Sequence, residues 1–337
     1  MKRVLWRLLG AIPTLFGVIL ATFLLTRVLP GDPAVFFAGN PSMDAHAIEQ
    51  VRQSLGLDKS LLQQFVIYLH ALAHGDLGQS ISTGLPVRQE LLNRLPASAE
   101  LTLCAFLLAI VTAVPLGVIA ALRPGSLIDQ LCRLISTLGV SLPTFVTGLM
   151  LIYVFYYLLG AAPEPIGRLD PFMTTPPKVT GFLLIDTLLN GDYDAFVASA
   201  KQLILPALTM ALFALAPLAR MTRASMLNVL SSDFIRTARA NGLSWRTTVI
   251  TYAFRNAMLP VVTTLGMTFS YMLGANVLVE QVFAWPGIGA FALNSLISLD
   301  YAPLQGFMLI MAAIFLMVNL VTDLVYAIID PRAEFEK

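Results

Sequence analysis

The sequence predicts an all-α integral membrane protein with six transmembrane helices, and two observations predict it. The first is composition. Of the 337 residues 57% are hydrophobic and only 12% charged, with a mean hydropathy of +0.77, whereas a soluble domain carries roughly 25% charged residues. The second is that the charges are gathered rather than spread. They leave six uncharged intervals, Leu8–Thr26, Leu101–Leu122, Leu134–Pro163, Gln202–Ala219, Asn256–Val279 and Tyr301–Thr322. Each is near or above the about 20 apolar residues with which a helix crosses the hydrocarbon core. Helices are the expected solution because open backbone cannot be satisfied in lipid.

The first interval follows Lys2, Arg3 and Arg7. Its apolar run is too long for a signal peptide and no small-residue cleavage site follows, so a retained anchor is expected. Leu29 to Pro33, LPGDP, reads as a turn-rich exit from the membrane. A helical pattern opens at Ser42 and ends at Gly56, another runs from Ser60 to His74 with Leu61, Leu62, Phe65, Val66 and Leu69 at helical spacing, and a third short helix is expected to start at Pro86 and lead into span two. Together these make a helical insertion after the first span. His70 and His74 lie one turn apart near Asp76, a spacing that a metal pair or a solvated helix end would share; no metal is assigned.

Pro115, Pro143 and Pro217 fall inside spans two, three and four, and the Leu134–Pro163 interval reads as one long or broken helix around Pro143. Pro163 to Lys201 is rich in proline and acid, which suits either a solvated loop or a contact surface for a soluble partner. The last loop carries Trp285-Pro286-Gly287-Ile288-Gly289, an aromatic followed by a tight turn. Cys104 and Cys132 read as small apolar residues, since their spacing suits neither zinc nor a disulfide framework.

Basic residues set the expected orientation. With the N-terminus inside, the inner side carries Lys2, Arg3, Arg7, Arg123, Arg133, Arg220, Arg223, Arg236, Arg239, Arg246, Arg255, Arg332 and Lys337. The positive-inside bias therefore predicts both termini in the cytoplasm. Arg27, Glu100, Lys201, Glu280, Asp300 and Asp323 sit at span ends and are expected to reach water. A carrier driven by protons or sodium normally needs a carboxylate deep in the membrane, and the intervals hold none. A membrane enzyme would need a nucleophile or carboxylate constellation within the spans, and none stands out. No G-x-x-x-x-G-K-S/T phosphate loop occurs, so the chain is not expected to hydrolyse ATP itself.

One stretch departs from this apolar background. Between spans four and five, Asn228 to Pro260 is polar and basic. Ser231 or Ser232 is placed to cap a helix with Asp233 in its first turn. The helix runs through Phe234, Ile235, Arg236, Thr237, Ala238, Arg239 and Ala240 and stops at Gly242. Ser244 caps the next, which carries Trp245, Arg246 and Arg255 into span five. A helix of about ten residues is marginal alone in water. Residue physics leaves two supports open, anionic lipid under the arginines or a groove on a cytoplasmic protein.

This stretch resembles the EAA-x-x-x-G motif of binding-protein-dependent ABC transporter permeases, in the form used by the dipeptide and oligopeptide branch: Arg236-Thr237-Ala238-Arg239-Ala240-Asn241-Gly242-Leu243, followed by Arg255-Asn256-Ala257-Met258-Leu259-Pro260. Arg236 stands where the general motif has Glu, a departure usual in the peptide branch. The resemblance continues in Leu29–Pro33, Leu55-Gly56-Leu57-Asp58, Gly75-Asp76-Leu77-Gly78, Arg220-Met221-Thr222-Arg223-Ala224-Ser225-Met226, Thr180–Thr187 and Trp285-Pro286-Gly287, and is nearest to the first permease subunit of dipeptide importers.

The resemblance implies a type I ABC importer permease fold in a bacterial inner membrane. Residues 1–29 would be the anchor span, 30–99 a periplasmic cap, and 100–337 a domain of five further spans with a coupling helix over 232–243. It implies no cofactor in this chain, since ATP and Mg²⁺ belong to partner subunits. The implied partners are a second permease subunit, two ABC ATPase subunits that grip Asp233, Phe234, Ile235, Arg236, Thr237, Ala238, Arg239, Ala240 and Gly242, a periplasmic binding protein and membrane lipid, with no nucleic acid. Phe234 and Ile235 would anchor the ATPase. Di- and oligopeptides are the expected substrates; nickel, glutathione and haem are carried by related permeases.

Overall fold

The computed structural model describes residues 2–28, 49, 52, 53 and 58–329. The expectations for Leu29–Pro33 and for the segment after 329 lie outside these, and of the helix expected from Ser42 to Gly56 only 49, 52 and 53 are described, all helical. Every regular element among the described residues is a helix. In order they are α1 (Lys2–Val28), α2 (Leu61–Ala73), α3 (Val87–Leu122), α4 (Leu127–Ser141), α5 (Thr144–Leu158), α6 (Leu183–Leu189), α7 (Tyr193–Leu230), α8 (Asp233–Ala240), α9 (Trp245–Val282), α10 (Ile288–Ile297) and α11 (Tyr301–Ile329). Four of them, α3, α7, α9 and α11, are long and apolar enough to cross a membrane. The Leu8–Thr26 interval lies in α1.

Local signals explain the boundaries. Ser60 and Gln63 form a reciprocal capping box ahead of α2. Asp192 accepts the Ala195 amide at 2.9 Å and starts α7. The 30-residue interval is broken, as its proline predicts. Leu142 is extended, with φ −99° and ψ 131°, and α5 restarts after Pro143, because the ring of a proline drives the residue before it out of helical conformation. The helix expected from Pro86 leads into span two without a break. Val87 begins the 36-residue α3, since proline fits the start of a helix, and the helix continues through Pro96 and Pro115.

The described residues form two compact units, one of Met1–Ala97 with Pro286–Ile314, the other of Ser98–Trp285 with Phe315–Lys337. In the first, Val87, Leu91, Ile288 and Phe291 make the core, with Leu77 and Phe307 against them. Phe23 of α1 packs on Phe65 and Tyr68 of α2 at centroid distances of 5.1 and 5.9 Å. In the second, α7 is the central helix. It packs along α9, α4, α5 and α6, and 72% of its apolar window is buried, against 28% for α9.

Three carboxylates expected to reach water are buried instead. Asp300 accepts Ser80 Oγ at 2.6 Å and the Ser82 amide at 3.0 Å. Glu280 accepts Asn276 Nδ2 at 2.8 Å and the hydroxyl of Ser98. Glu100 pairs with Arg168 and accepts the Leu184 amide at 2.8 Å. Glu280 and Asp300 sit at helix ends as expected, whereas Glu100 lies inside α3; each has neighbouring groups that supply the hydrogen bonds water would have given.

Candidate functional site

The connection between α7 and α9 carries the sequence-predicted site. Helix α8 spans Asp233–Ala240 and is capped by Ser232 in extended conformation, although that hydroxyl bonds back to the Val229 carbonyl at 2.6 Å rather than to an α8 amide. At its other end Gly242 has φ +78°. The Gly242 amide bonds Arg239 O at 3.0 Å and the Leu243 amide bonds Ala238 O at 3.2 Å, which is the Schellman closure that a left-handed glycine permits. Ser244 accepts the Thr247 amide at 3.1 Å and starts α9.

Helix α8 has two faces. Ile235, 1% exposed, and Ala238 point inward. Ile235 joins Ala121 of α3, Met226 of α7, and Val249, Ala253 and Ala257 of α9 in one apolar cluster. Burial of such a side chain contributes about 1.5–3 kcal/mol. Asp233, Phe234, Arg236, Thr237, Arg239, Ala240 and Gly242 are exposed. Arg236 lies 3.3 Å from Asp233, both open to solvent, and Arg239 stacks over the Trp245 ring at 4.2 Å. Thus Phe234 and Ile235, assigned together as an anchor for a partner, separate: Ile235 fastens α8 to its own chain and Phe234 is the apolar residue left outside.

The first turns of α9 explain how α8 is seated. Thr248–Phe254 is π-helical, a wider coil often found at functional positions, and it brings Val249 and Ala253 onto the same cluster as Ile235.

Between α4 and α7 lies an ionic centre that the sequence did not single out. Asp129, in the first turn of α4, is 0% exposed. It accepts two bonds from Arg223 of α7, one of them at 3.1 Å, one from Arg133 at 2.7 Å and one from the Gly125 amide at 2.9 Å. The Arg223 guanidinium, then the Gly125 amide and Arg133, hold its carboxyl well below the usual carboxylate range against the opposing effect of burial. Nearby, Ser225 donates to Ala257 O of α9 at 2.7 Å, and Arg220 donates to Ser136 O of α4 at 3.1 Å. The stretch from Arg220 to Met226 therefore bonds both α4 and α9. The one local signal for Asp129 was its i,i+4 spacing to Arg133; Arg223 lies 94 positions away.

The segment between α5 and α7 is tied down within the same unit. Asp186 accepts the amide and hydroxyl of Thr180 at 2.7 and 2.8 Å and the Gly181 amide at 2.8 Å. Arg168 donates to Gly181 O at 3.1 Å and lies over the Trp285 ring. Among the described residues no group of three or more His, Cys, Asp or Glu could hold a metal ion.

The fold has solved counterparts. The methionine ABC transporter MetNI in inward-facing conformations matches with a TM-score of 0.53 and 14% identity, over 72% of this chain and 97% of that one, a likeness of fold. Among curated proteins, the probable D,D-dipeptide transport system permease protein DdpB of Escherichia coli K12 is 44% identical over 96% of this chain and 94% of its own length. The di/tripeptide transport system permease protein DppB of Pseudomonas aeruginosa is 43% identical over 97% and 96%, and the dipeptide transport system permease protein DppB of Escherichia coli K12 is 39% identical over 100% of both. The family model described as "Binding-prot-dependent transport system membrane comp, N-term" matches residues 1–102. With a second model covering residues 113–335, the chain belongs to the binding-protein-dependent transport system inner membrane components.

Proposed function

We propose that this chain is one permease subunit of an ATP-driven importer of dipeptides and short oligopeptides in a bacterial inner membrane. The observation that carries the substrate class is the breadth of the likeness: relatives matched along 94–100% of their length are named for D,D-dipeptide, di/tripeptide and dipeptide transport. In this reading the six uncharged intervals are six spans, both termini are cytoplasmic, and residues 30–99 form a periplasmic cap. A second permease subunit completes the pore, an external binding protein delivers the peptide, and two ATPase subunits hold ATP and Mg²⁺.

The coupling helix is α8. Its outer face offers one exposed aromatic, Phe234, beside Arg236 and Arg239, a pattern suited to a groove with an apolar floor and an acidic rim. Its inner face is locked by Ile235 onto α3, α7 and α9. A push on α8 therefore cannot be absorbed locally and is handed to three long helices, which is what alternating access requires.

The test is reconstitution of the chain with its co-encoded permease, ATPases and binding protein in liposomes. Labelled dipeptide is expected to accumulate with ATP inside and binding protein outside, and to be indifferent to a protonophore. Uptake by the chain alone, or uptake that follows an imposed ion gradient without ATP, would overturn the reading.

A further inference from the structure

Three contacts join α3, α4 and α7 at the end of unit two that leads into α8. Gly117 of α3 lies so close to α7 that an added Cβ would stand 2.7 Å from both the Ala219 carbonyl oxygen and Thr222 Cβ. Asp129 of α4 is wholly enclosed and joined to Arg223 of α7 by two hydrogen bonds. Arg220, nearly one turn before Arg223, donates to the Ser136 carbonyl of α4. One turn beyond Arg223 on the same helix, Met226 shares an apolar cluster with Ile235 and so with α8.

Of these, the Asp129–Arg223 pair resists parting most. Withdrawing one member of a buried pair strands the other charge away from water, which costs far more than any exposed pair contributes. Arg133 does not substitute for Arg223. It is 59% exposed and belongs to the helix that bears Asp129, so it balances charge without reaching α7. The backbone offers no slack either, since the turn joining α3 to α4 is closed onto Asp129 by the Gly125 amide. The end of α7 and the α3–α4 turn are thus constrained to shift as one piece.

We infer that Asp129 is a positioning residue for energy coupling: held by Arg223, it makes the α3–α4 turn follow α8, so that work done on α8 moves α4 together with α7. This rests on the reading of α8 as the place where the ATPases grip. α4 is the helix that leads to the break at Pro143, so the pair connects the driven end of the chain to its discontinuous span. Without it, α8 would still be pushed and ATP still hydrolysed, but α4 would lag and the peptide path would open incompletely.

The experiment measures dipeptide uptake and ATP hydrolysis together in the reconstituted complex, for the native chain, Asp129→Asn, Asp129→Glu and Arg223→Lys. Asp129→Asn is expected to lower the dipeptide moved per ATP by about tenfold, within the usual range of coupling effects, with assembly intact and hydrolysis within about twofold of native. Asp129→Glu is expected to restore part of the ratio, because it returns the charge. Arg223→Lys keeps one charge but loses the paired geometry and is expected to fall between. An unchanged ratio in Asp129→Asn, or uptake and hydrolysis falling in proportion, would overturn the inference. Where Asp129→Asn does not assemble, Arg223→Lys decides, and a native ratio there overturns it. Phe234→Ala on the outer face of α8 separates this from the parent reading. If Phe234→Ala lowers ATP-driven uptake and the Asp129 variants do not, only the inference fails; if Phe234→Ala has no effect, the reading of α8 fails.

Discussion

Adjacent residues on an α-helix point about 100° apart, and at the start of α8 that angle divides two apolar side chains between two tasks. Ile235 is enclosed by Met226, Val249, Ala253 and Ala257; Phe234 is 44% exposed. Ile235→Ala is therefore expected to cost about 2–5 kcal/mol of the chain's own stability, through lost burial and the cavity left behind. It will show as a lower melting temperature of the purified chain before any partner is added. Phe234→Ala will leave that temperature unchanged and weaken co-purification of the ATPases, by about 2 kcal/mol if Phe234 is a central contact of the interface. The reverse assignment, with Phe234 stabilising the chain and Ile235 the complex, is the result that contradicts this placement. Sequence spacing alone could not make the division. Periodicity shows which residues share a face with Ala238, but not which face the rest of the chain covers.

At the scale of the element, α8 depends on its ends. An exposed helix of this length has little stability of its own, and Gly242 holds its C-terminus in a left-handed conformation with no atom within 4 Å of where a Cβ would stand. Substitution there meets no steric wall, so the effect is one of backbone strain alone. Gly242→Val is expected to cost about 1–2 kcal/mol and to fray α8, because β-branched residues disfavour that region, whereas Gly242→Asn will be nearly neutral. ATP-driven uptake by the two variants checks this, and equal losses would show that bulk rather than conformation matters. The capping signals at Ser60, Gly242 and Ser244 were legible because they act over three or four residues, whereas Ser232, expected to cap α8, turns its hydroxyl back to Val229. What was not legible was long-range pairing. Glu100, Glu280 and Asp300 read from sequence as charges destined for water, yet each is buried, since Arg168, Ser98 and Ser80 reach them from 68, 182 and 220 positions away. Hydropathy counts a carboxylate against burial and has no means of seeing the partner that offsets it.

For the whole molecule, the proposed topology places α8 and the segment between α5 and α7 on opposite sides of the membrane. Translocating a stretch with Arg220, Arg223, Arg236, Arg239, Arg246 and Arg255 is disfavoured by the bias that keeps basic residues inside, while the segment holding Glu164, Asp170, Asp186, Asp192 and Asp194 has far fewer cations to retain it. Two positions report on this without disturbing the fold. Phe172 is 98% exposed, and the Arg236 side chain is 79% exposed, so a cysteine at either will meet reagent freely. In a background with Cys104 and Cys132 replaced by alanine, Phe172→Cys is expected to react with a membrane-impermeant maleimide in intact spheroplasts. Arg236→Cys will react only after the membrane is opened, and assembly with the ATPases will then protect it. Labelling of both from the same side would mean an odd number of crossings between them is wrong, and with it the assignment of α8 to the ATPase side. Protection of Arg236→Cys by the ATPases alone, with no effect of the binding protein, would join the orientation to the coupling role, because one residue would then be both inside the cell and under the partner that supplies the energy.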